Sequence, residues 1–530
     1  MQYKTPGVYI VEKNAFPNSV VEVATAIPVF IGYTEKAADG PVDKSYTPTY
    51  IASLADYIRY FGGAPTPSFS LSSTLAVAQD AKTRFFLYHS VMLYFANGGG
   101  PAYVISVGSY ANATVNGKAM ADFLPDPTKL GNGKQAPFDA LKKVLDVTLV
   151  VAPDTTLLGK VDDWAGVWTA ALAHCNTMQS RMAIIDIQQG DQPRNYDDKT
   201  DVISGSAGFR DKIGTNFLNY GASYYPWLNF NVVDPAAITY AQLDSASLTA
   251  LVAGLNAELA AMNPQPAASM ASKIKALYSS LAPAAPAAPA EAPADGSAEA
   301  ATPATAPVDA ATVTRNHNQL LQISPLYQRV INDMLKLVNL LPPAAAMVGL
   351  YAQIDANDGV WQAPANTSIA LAVSPAVDLT AEDQADLNVP LDGKAVNAIR
   401  TIPGRGLVVW GARTLDGNSQ DWRYINVRRT LIMLEQSIKA AVMTYVFAPN
   451  DASTWVAVQN MIANFLTNQW KAGALAGAKA ADAFSVTVGL GSTMTADDIL
   501  DGYMRVTVKV AIVHPAEFIE LTFQQQMQTS

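Results

Sequence analysis

Apolar and polar positions alternate most regularly near the end of the chain. From Met504 to Ile512, Met504, Val506, Val508, Val510 and Ile512 share one face, while Arg505, Thr507 and Lys509 share the other. Period two marks a half-buried strand. Beyond the turn signal His514-Pro515, Ile519, Leu521 and Phe523 oppose Glu520, Thr522 and Gln524, which predicts a second strand over Phe518–Gln524. Gly7-Val8-Tyr9-Ile10-Val11-Glu12, just behind Pro6, is strand-like too. Strands at both ends of a chain present unpaired backbone groups unless something covers them. Val8, Tyr9, Ile10 and Val11, with Phe518, Ile519, Leu521 and Phe523, are therefore candidates for pairing between chains.

Elsewhere the pattern changes period. Ile27–Tyr33, Asp146–Val151 and Met182–Ile187 are short, continuous apolar runs, and a helical stretch around Trp164–Met178 separates the last two. That order predicts a β-α-β unit with buried, parallel strands. A helix near Leu87–Ala96 should stop at Asn97-Gly98-Gly99-Gly100, with a strand from Ala102 to Val107 after it. Ala237–Met262 and Ala271–Leu281 are Ala/Leu-rich with helical spacing, and 282–311 is Ala/Pro/Glu/Asp low complexity that cannot build a core. Order resumes at Ser324-Pro325, an N-cap followed by proline at the first helical position. Further helices are expected over Arg429–Phe447 and Ser453–Trp470, and a strand over Phe484–Val488. The chain is thus read as a multidomain α+β / α/β protein. Its expected divisions are an N-terminal arm and first strand over 1–35, an α/β domain over 36–235, a surface insertion over 236–314, a C-terminal α+β domain over 315–503 and a closing strand arm over 504–530.

Composition narrows the function. Half of the 530 residues are apolar and 15% are charged, which is low for a globular surface and suits a protein that covers much of its outside in an assembly. A net charge of −10 without a basic tail argues against a nucleic-acid partner. The N-terminal residues do not read as a secretory signal, and no apolar run is long enough to predict a membrane span. Cys175 is the single cysteine, so neither a disulfide within the chain nor a thiolate metal cluster is expected.

Motifs for chemistry are absent. Gly131-Asn132-Gly133-Lys134-Gln135 lacks the phosphate-loop spacing and its Ser/Thr, and Gly489-Leu490-Gly491 lacks the third glycine of a dinucleotide fingerprint. Histidines 89, 174, 317 and 514 show no metal-ligand pairing. His174 adjoins Cys175, but neighbours on a helix point about 100° apart. No catalytic, cofactor or metal site is expected.

Several stretches resemble the sheath proteins of contractile phage tails and related contractile injection systems. They are Thr5-Pro6-Gly7-Val8-Tyr9-Ile10, Phe95-Ala96-Asn97-Gly98-Gly99 and Tyr220-Gly221-Ala222-Ser223-Tyr224-Tyr225-Pro226-Trp227. The most specific block begins at Pro342-Pro343 and runs through Asp355 and Gly359-Val360-Trp361-Gln362-Ala363-Pro364-Ala365-Asn366. It continues with Asn397-Ala398-Ile399-Arg400, Gly404-Arg405-Gly406, Val409-Trp410-Gly411-Ala412-Arg413-Thr414-Leu415, Tyr424-Ile425-Asn426-Val427-Arg428-Arg429 and Pro515-Ala516-Glu517-Phe518-Ile519. The resemblance covers roughly 1–235 and 320–530. One departure is Ala448, where the family commonly has Glu.

The resemblance implies a subunit of stacked six-fold rings around an inner tube, in which the C-terminal domain lies innermost. Terminal arms add strands to neighbouring subunits, and the whole contracts to drive the tube through a cell envelope. It implies as partners further copies of the chain, an inner tube protein, and baseplate and tail-terminator or cap proteins, with no cofactor, no nucleic acid and no membrane insertion. Assembly in a bacterial cytoplasm is expected, as part of a phage tail or of a released or membrane-attached injection particle; Ala26–Thr34 looks closer to extracellular injection particles. Between 395 and 470 there are seven Lys/Arg and four Asp/Glu, +3 against −13 elsewhere. Arg428, Arg429 and Lys439, with Lys471 just beyond, are candidates to face the tube or a neighbour through screened, reversible contacts; alternatively, Arg400 and Arg413 are internal ion-pair partners. The competing reading of the whole chain is a soluble α/β enzyme with a helical insertion.

Overall fold

The computed structural model describes residues 20–521 except 132, 198, 263–265 and 282–308. Its centre is an eight-stranded sheet built from Pro28–Thr34 (β1), Thr49–Ile51 (β2), Ala102–Ser109 (β3), Leu149–Val151 (β4), Met182–Asp186 (β5), Gly221–Tyr225 (β6), Asn397–Ile402 (β7) and Gly406–Val409 (β8). The strand order is β8-β7-β6-β5-β4-β1-β3-β2. The six inner strands run parallel, and β2 and β8 close the two edges antiparallel. The expected β-α-β unit is present: Val161–Met178 (α2) crosses between the parallel neighbours β4 and β5. Every residue of β1, β4 and β5 is buried, which is why these strands read as unbroken apolar runs.

Two helices pack together on this sheet, Leu87–Ala96 (α1) and Ala344–Asn357 (α3). Their axes approach closely because residue 349 is glycine: a Cβ there would lie 2.5 Å from the Tyr94 carbonyl oxygen. Each helix starts on a buried carboxylate. Asp154 accepts from the backbone N–H of Phe86 at 2.6 Å and of Tyr33 at 2.8 Å, and Asp186 accepts from Ala344 N–H at 2.8 Å. Both groups are fully buried, and burial pushes their pKa values up, to about 6 for Asp154 and about 7 for Asp186. α1 stops as expected, with Gly98 at φ +93° and the Asn97 side chain bridging Leu93 and Ala370.

A second core gathers Ser245–Ala261, Ala268–Ser279, Ala310–Ile323 and Pro325–Val338 around Leu251, Leu255, Tyr278, Leu320 and Tyr327, with Phe69 and Ile238 reaching in. Ser324 caps the last of these helices through Tyr327 N–H, with Pro325 behind it. Packing thus groups the 325–338 helix with 238–281, across the sequence division at 315, and the central sheet takes strands from both sides of the insertion. The low-complexity stretch expected over 282–311 falls mostly outside the described residues.

A third core belongs to the C-terminal region. Ile425–Val442 (α4) and Ala452–Ala472 (α5) enclose it with Phe484–Val488 (β9) and Val506–Val510 (β10). α5 is capped by Asp451, which accepts from Ser453 and Thr454 N–H. α4 starts four residues before the expected Arg429 and ends at Val442, followed by a 3-10 turn at Met443–Tyr445. Residues 425–430 are all buried although Asn426, Arg428, Arg429 and Thr430 are polar, so no apolar stripe marks that first turn in the sequence.

Candidate assembly surface: the C-terminal hairpin and the two chain roots

β9 and β10 form an antiparallel pair in register from Phe484↔Val510 to Val488↔Val506. The alternation read in the sequence is visible: Met504, Val506, Val508 and Val510 are half-buried against the α5 side, whereas Arg505, Thr507 and Lys509 are exposed. Gln459 on α5 donates to the Val486 carbonyl at 2.9 Å, fixing the hairpin to the helix. Apart from a bridge between Leu475 and Ile512, no further strand pairs with this hairpin among the described residues. A two-stranded sheet with open edges is a template for strand addition.

Of the strand expected over Phe518–Gln524, residues 518–521 form no strand with other described residues, and 522–524 lie outside the described residues. Phe518, Ile519 and Leu521 are 76%, 78% and 73% exposed, so among the described residues this apolar segment has no strand partner. Val8, Tyr9, Ile10, Val11 and Phe523 lie outside the described residues.

Both chain ends are rooted by buried guanidinium groups. At the N-terminal root, Arg429 donates to the Thr25 carbonyl at 3.0 Å and forms a two-armed ion pair with Asp355 of α3, at 2.8 and 2.5 Å. Nearby, Val23 N–H donates to Ser437 Oγ at 3.1 Å, and Gln469 donates to Glu22 at 2.5 Å. At the C-terminal root, Glu517 takes four hydrogen bonds: Arg413 Nε (3.0 Å) and Nη2 (2.5 Å), Asn388 Nδ2 (2.8 Å) and Tyr424 OH (3.2 Å). Burial alone would raise the pKa of Glu517, but the Arg413 guanidinium, with Asn388 and Tyr424, outweighs it and holds the carboxyl below its usual range.

These contacts correct part of the charge reading. Arg428 and Arg429 do not face outward: each is 4% exposed. Arg428 stacks over Tyr220 at 4.2 Å and Trp422 at 4.9 Å, and Arg429 lies over Tyr351. A buried guanidinium needs such partners, because an unpaired one would be strongly destabilising. Lys439 and Lys471 are exposed, in the last turns of α4 and α5, where a cation also complements the helix dipole. Arg413 is an internal ion-pair partner, whereas Arg400 bonds Gln384 at 2.7 Å. Sequence reasoning listed neither Glu517 nor Asp355 as a site; the clue was a lone acid inside the apolar run Pro515–Ile519.

Elsewhere the described residues offer no catalytic arrangement. His174 Nε2 contacts Arg181 Nη1 at 3.2 Å, and burial pushes the Cys175 thiol up to about 12, so the pair has no thiolate. No cluster of three or more His, Cys, Asp or Glu side chains is placed to hold a metal ion among the described residues. No described helix is long and apolar enough to cross a membrane.

Comparison with known proteins converges on this surface. Residues 418–526 match the phage tail sheath C-terminal domain. Over 99% of its length the chain is similar to a chain of the extracellular contractile injection system PVC sheath complex in the contracted state, with 26% identity, a TM-score of 0.57 and 99% of that chain covered. It is equally similar to the helical sheath of the anti-feeding prophage (AFP) in its contracted state, with 26% identity and a TM-score of 0.58 over 99% of this chain and all of that one. A chain of the six-fold symmetrised AFP baseplate gives 27% identity and a TM-score of 0.57, again over 99% of this chain and all of that one. No curated protein sequence matches. Residues 418–526 thus carry a tail sheath C-terminal domain, and the whole chain shares the fold of the sheath proteins of contractile injection systems.

Proposed function

We propose that this subunit polymerises into stacked hexameric rings around an inner tube and that the polymer contracts to drive the tube through a target envelope. The observation that carries the reading is the β9–β10 hairpin: among the described residues its outer edges are open, and the exposed apolar segment 518–521 on the same domain has no strand partner. Strand addition from neighbouring copies satisfies both, giving main-chain hydrogen bonds worth roughly 0.5–1.5 kcal/mol each. Each arm then contributes only a few kcal/mol, but repetition through a lattice keeps every subunit tethered while the rings move. Contraction is a switch between two packings of rigid subunits, the compact one burying more surface.

In this reading the C-terminal domain faces inward. The exposed Lys439 and Lys471 supply screened contacts to the tube protein or to a neighbouring subunit. Baseplate and terminator proteins cap the two ends of the polymer. The similarity to an extracellular injection system sheath supports a released injection particle over a phage tail. Negative-stain microscopy of the full chain, alone and co-expressed with the tube protein of the same gene cluster, tests the proposal. Rings, tubes or cylinders are expected; small monodisperse particles under all conditions would overturn it.

A further inference from the structure

Following the chain out of β10 shows where it stops being part of the domain. Ile512 is buried, and the Val513 carbonyl accepts from Asn426 Nδ2 at 3.1 Å. The His514 ring meets the Tyr424 ring edge-on at 5.8 Å between centroids. Glu517 then receives its four hydrogen bonds, and the next residue, Phe518, is 76% exposed. The transition from held to free chain takes one residue.

The other half of the contact is braced in turn. Arg413 Nη1 donates to the Asn388 carbonyl at 3.1 Å. The Asn397 side chain accepts from Arg413 N–H at 2.7 Å and donates to the Arg413 carbonyl at 2.8 Å and to the Ser223 carbonyl at 3.0 Å. Asn397 opens β7 and Ser223 lies in β6, so a rigid path of hydrogen bonds runs from Glu517 into the central sheet.

We infer that Glu517 is the anchor of the C-terminal arm: it fixes where the chain leaves the domain at residue 518 and passes tension on that arm to the central sheet instead of to the hairpin. This rests on the sheath reading and adds to it a positioning residue. The physical need is specific. A pull on residue 518 transmitted along the chain would reach β10 at its end and peel it from β9 one hydrogen bond at a time. A carboxylate held by a two-pronged guanidinium takes the pull first, through charge-assisted bonds about twice as strong as neutral ones. Anchoring also shortens the free tether and sets its direction, and both raise the effective concentration of the arm at its neighbour's edge.

The test uses the full-length chain and two measurements, the melting curve of the unassembled subunit and the lowest protein concentration that yields cylinders by sedimentation and negative stain. Glu517→Gln keeps size and shape but removes the charge. Its melting curve should shift down, because buried Arg413 loses its counter-charge, and at a temperature where the subunit is still folded cylinder formation should need about tenfold more protein, the factor expected from losing one charge-assisted bond. Arg413→Lys keeps the charge and loses the fork; it should shift assembly in the same direction, and the double variant should be no worse than either single one. A folded Glu517→Gln chain that assembles at the wild-type concentration overturns the anchor, as does an equal assembly defect in Ile462→Val, which weakens the buried C-terminal core without touching Glu517. A wild-type chain that never forms cylinders overturns the sheath reading and the anchor together, so the two failures are distinguishable.

Discussion

The central sheet and the C-terminal hairpin are both β-structure, yet they are finished to different degrees. In β1 all seven residues are buried, and the sheet continues through strands on both sides of it to antiparallel edge strands. In β10 burial alternates between half-buried and exposed, and the two-stranded sheet ends in open edges. The first region is complete within one chain, because both of its faces are covered by its own helices. The second is complete on one face only. Stability should therefore reside in the sheet, and association in the hairpin and the chain end beside it.

That contrast can be broken most forcefully at Trp168, fully buried on α2 with its indole N–H bonded to Thr155 at 3.1 Å. Trp168→Ala should cost about 3–5 kcal/mol in chemical denaturation, and assembly should fail because the subunit fails. The equivalent truncation in the hairpin, Val508→Ala, should cost only about 1 kcal/mol. If the two losses were equal, the division between stability and association would collapse. Removing residues 518–530 should do the reverse of Trp168→Ala: the melting curve is unchanged while cylinders disappear in negative stain.

A subtler probe sharpens the picture inside the sheet. Asp186 titrates near 7 when folded, because burial disfavours its charge, against about 4 in an unfolded chain. The folded state therefore holds this proton more tightly. The stability that Asp186 contributes is full below about pH 4 and is lost as pH rises through about 7. Asp186→Asn should raise the melting temperature at pH 8 and reduce the fall in stability between pH 5 and pH 8. Glu517 has the opposite sign: its lowered pKa contributes stability that is lost as pH falls. The smallest effect is expected at Lys439→Glu or Lys471→Glu. Stability should move by at most about 0.5 kcal/mol, and only the yield of tube-filled cylinders, scored by microscopy, should fall.

How much of this was legible in the sequence depended on how far away the explanation lay. The β-α-β unit around α2 could be read directly, because strands buried on both faces leave continuous apolar runs and the crossover helix sits between them. The Ser324-Pro325 helix start was equally local, a cap and a proline in adjacent positions. β7 and β8 could not be assigned to the central sheet, since they join β6 after more than a hundred intervening residues and nothing in Asn397–Val409 names that partner. The charge reading erred at Arg428 and Arg429 for the same reason: Asp355, Tyr220 and Tyr351, which make their burial tolerable, are distant in sequence. The closing segment is a different case: its alternation describes a half-buried strand, yet residues 518–521 stay exposed and outside any strand among the described residues.

α4 meets both roots of the molecule. Near its start, Tyr424 and Asn426 grip the segment leading to Glu517; eleven residues beyond Asn426, Ser437 receives the backbone of Val23. At 1.5 Å per residue these grips are roughly 17 Å apart along a single rigid rod. In a lattice joined through both chain ends, each subunit is then a link of fixed length. Rows of such links can shear and turn like a folding trellis, changing the diameter and height of the whole while no joint is let go.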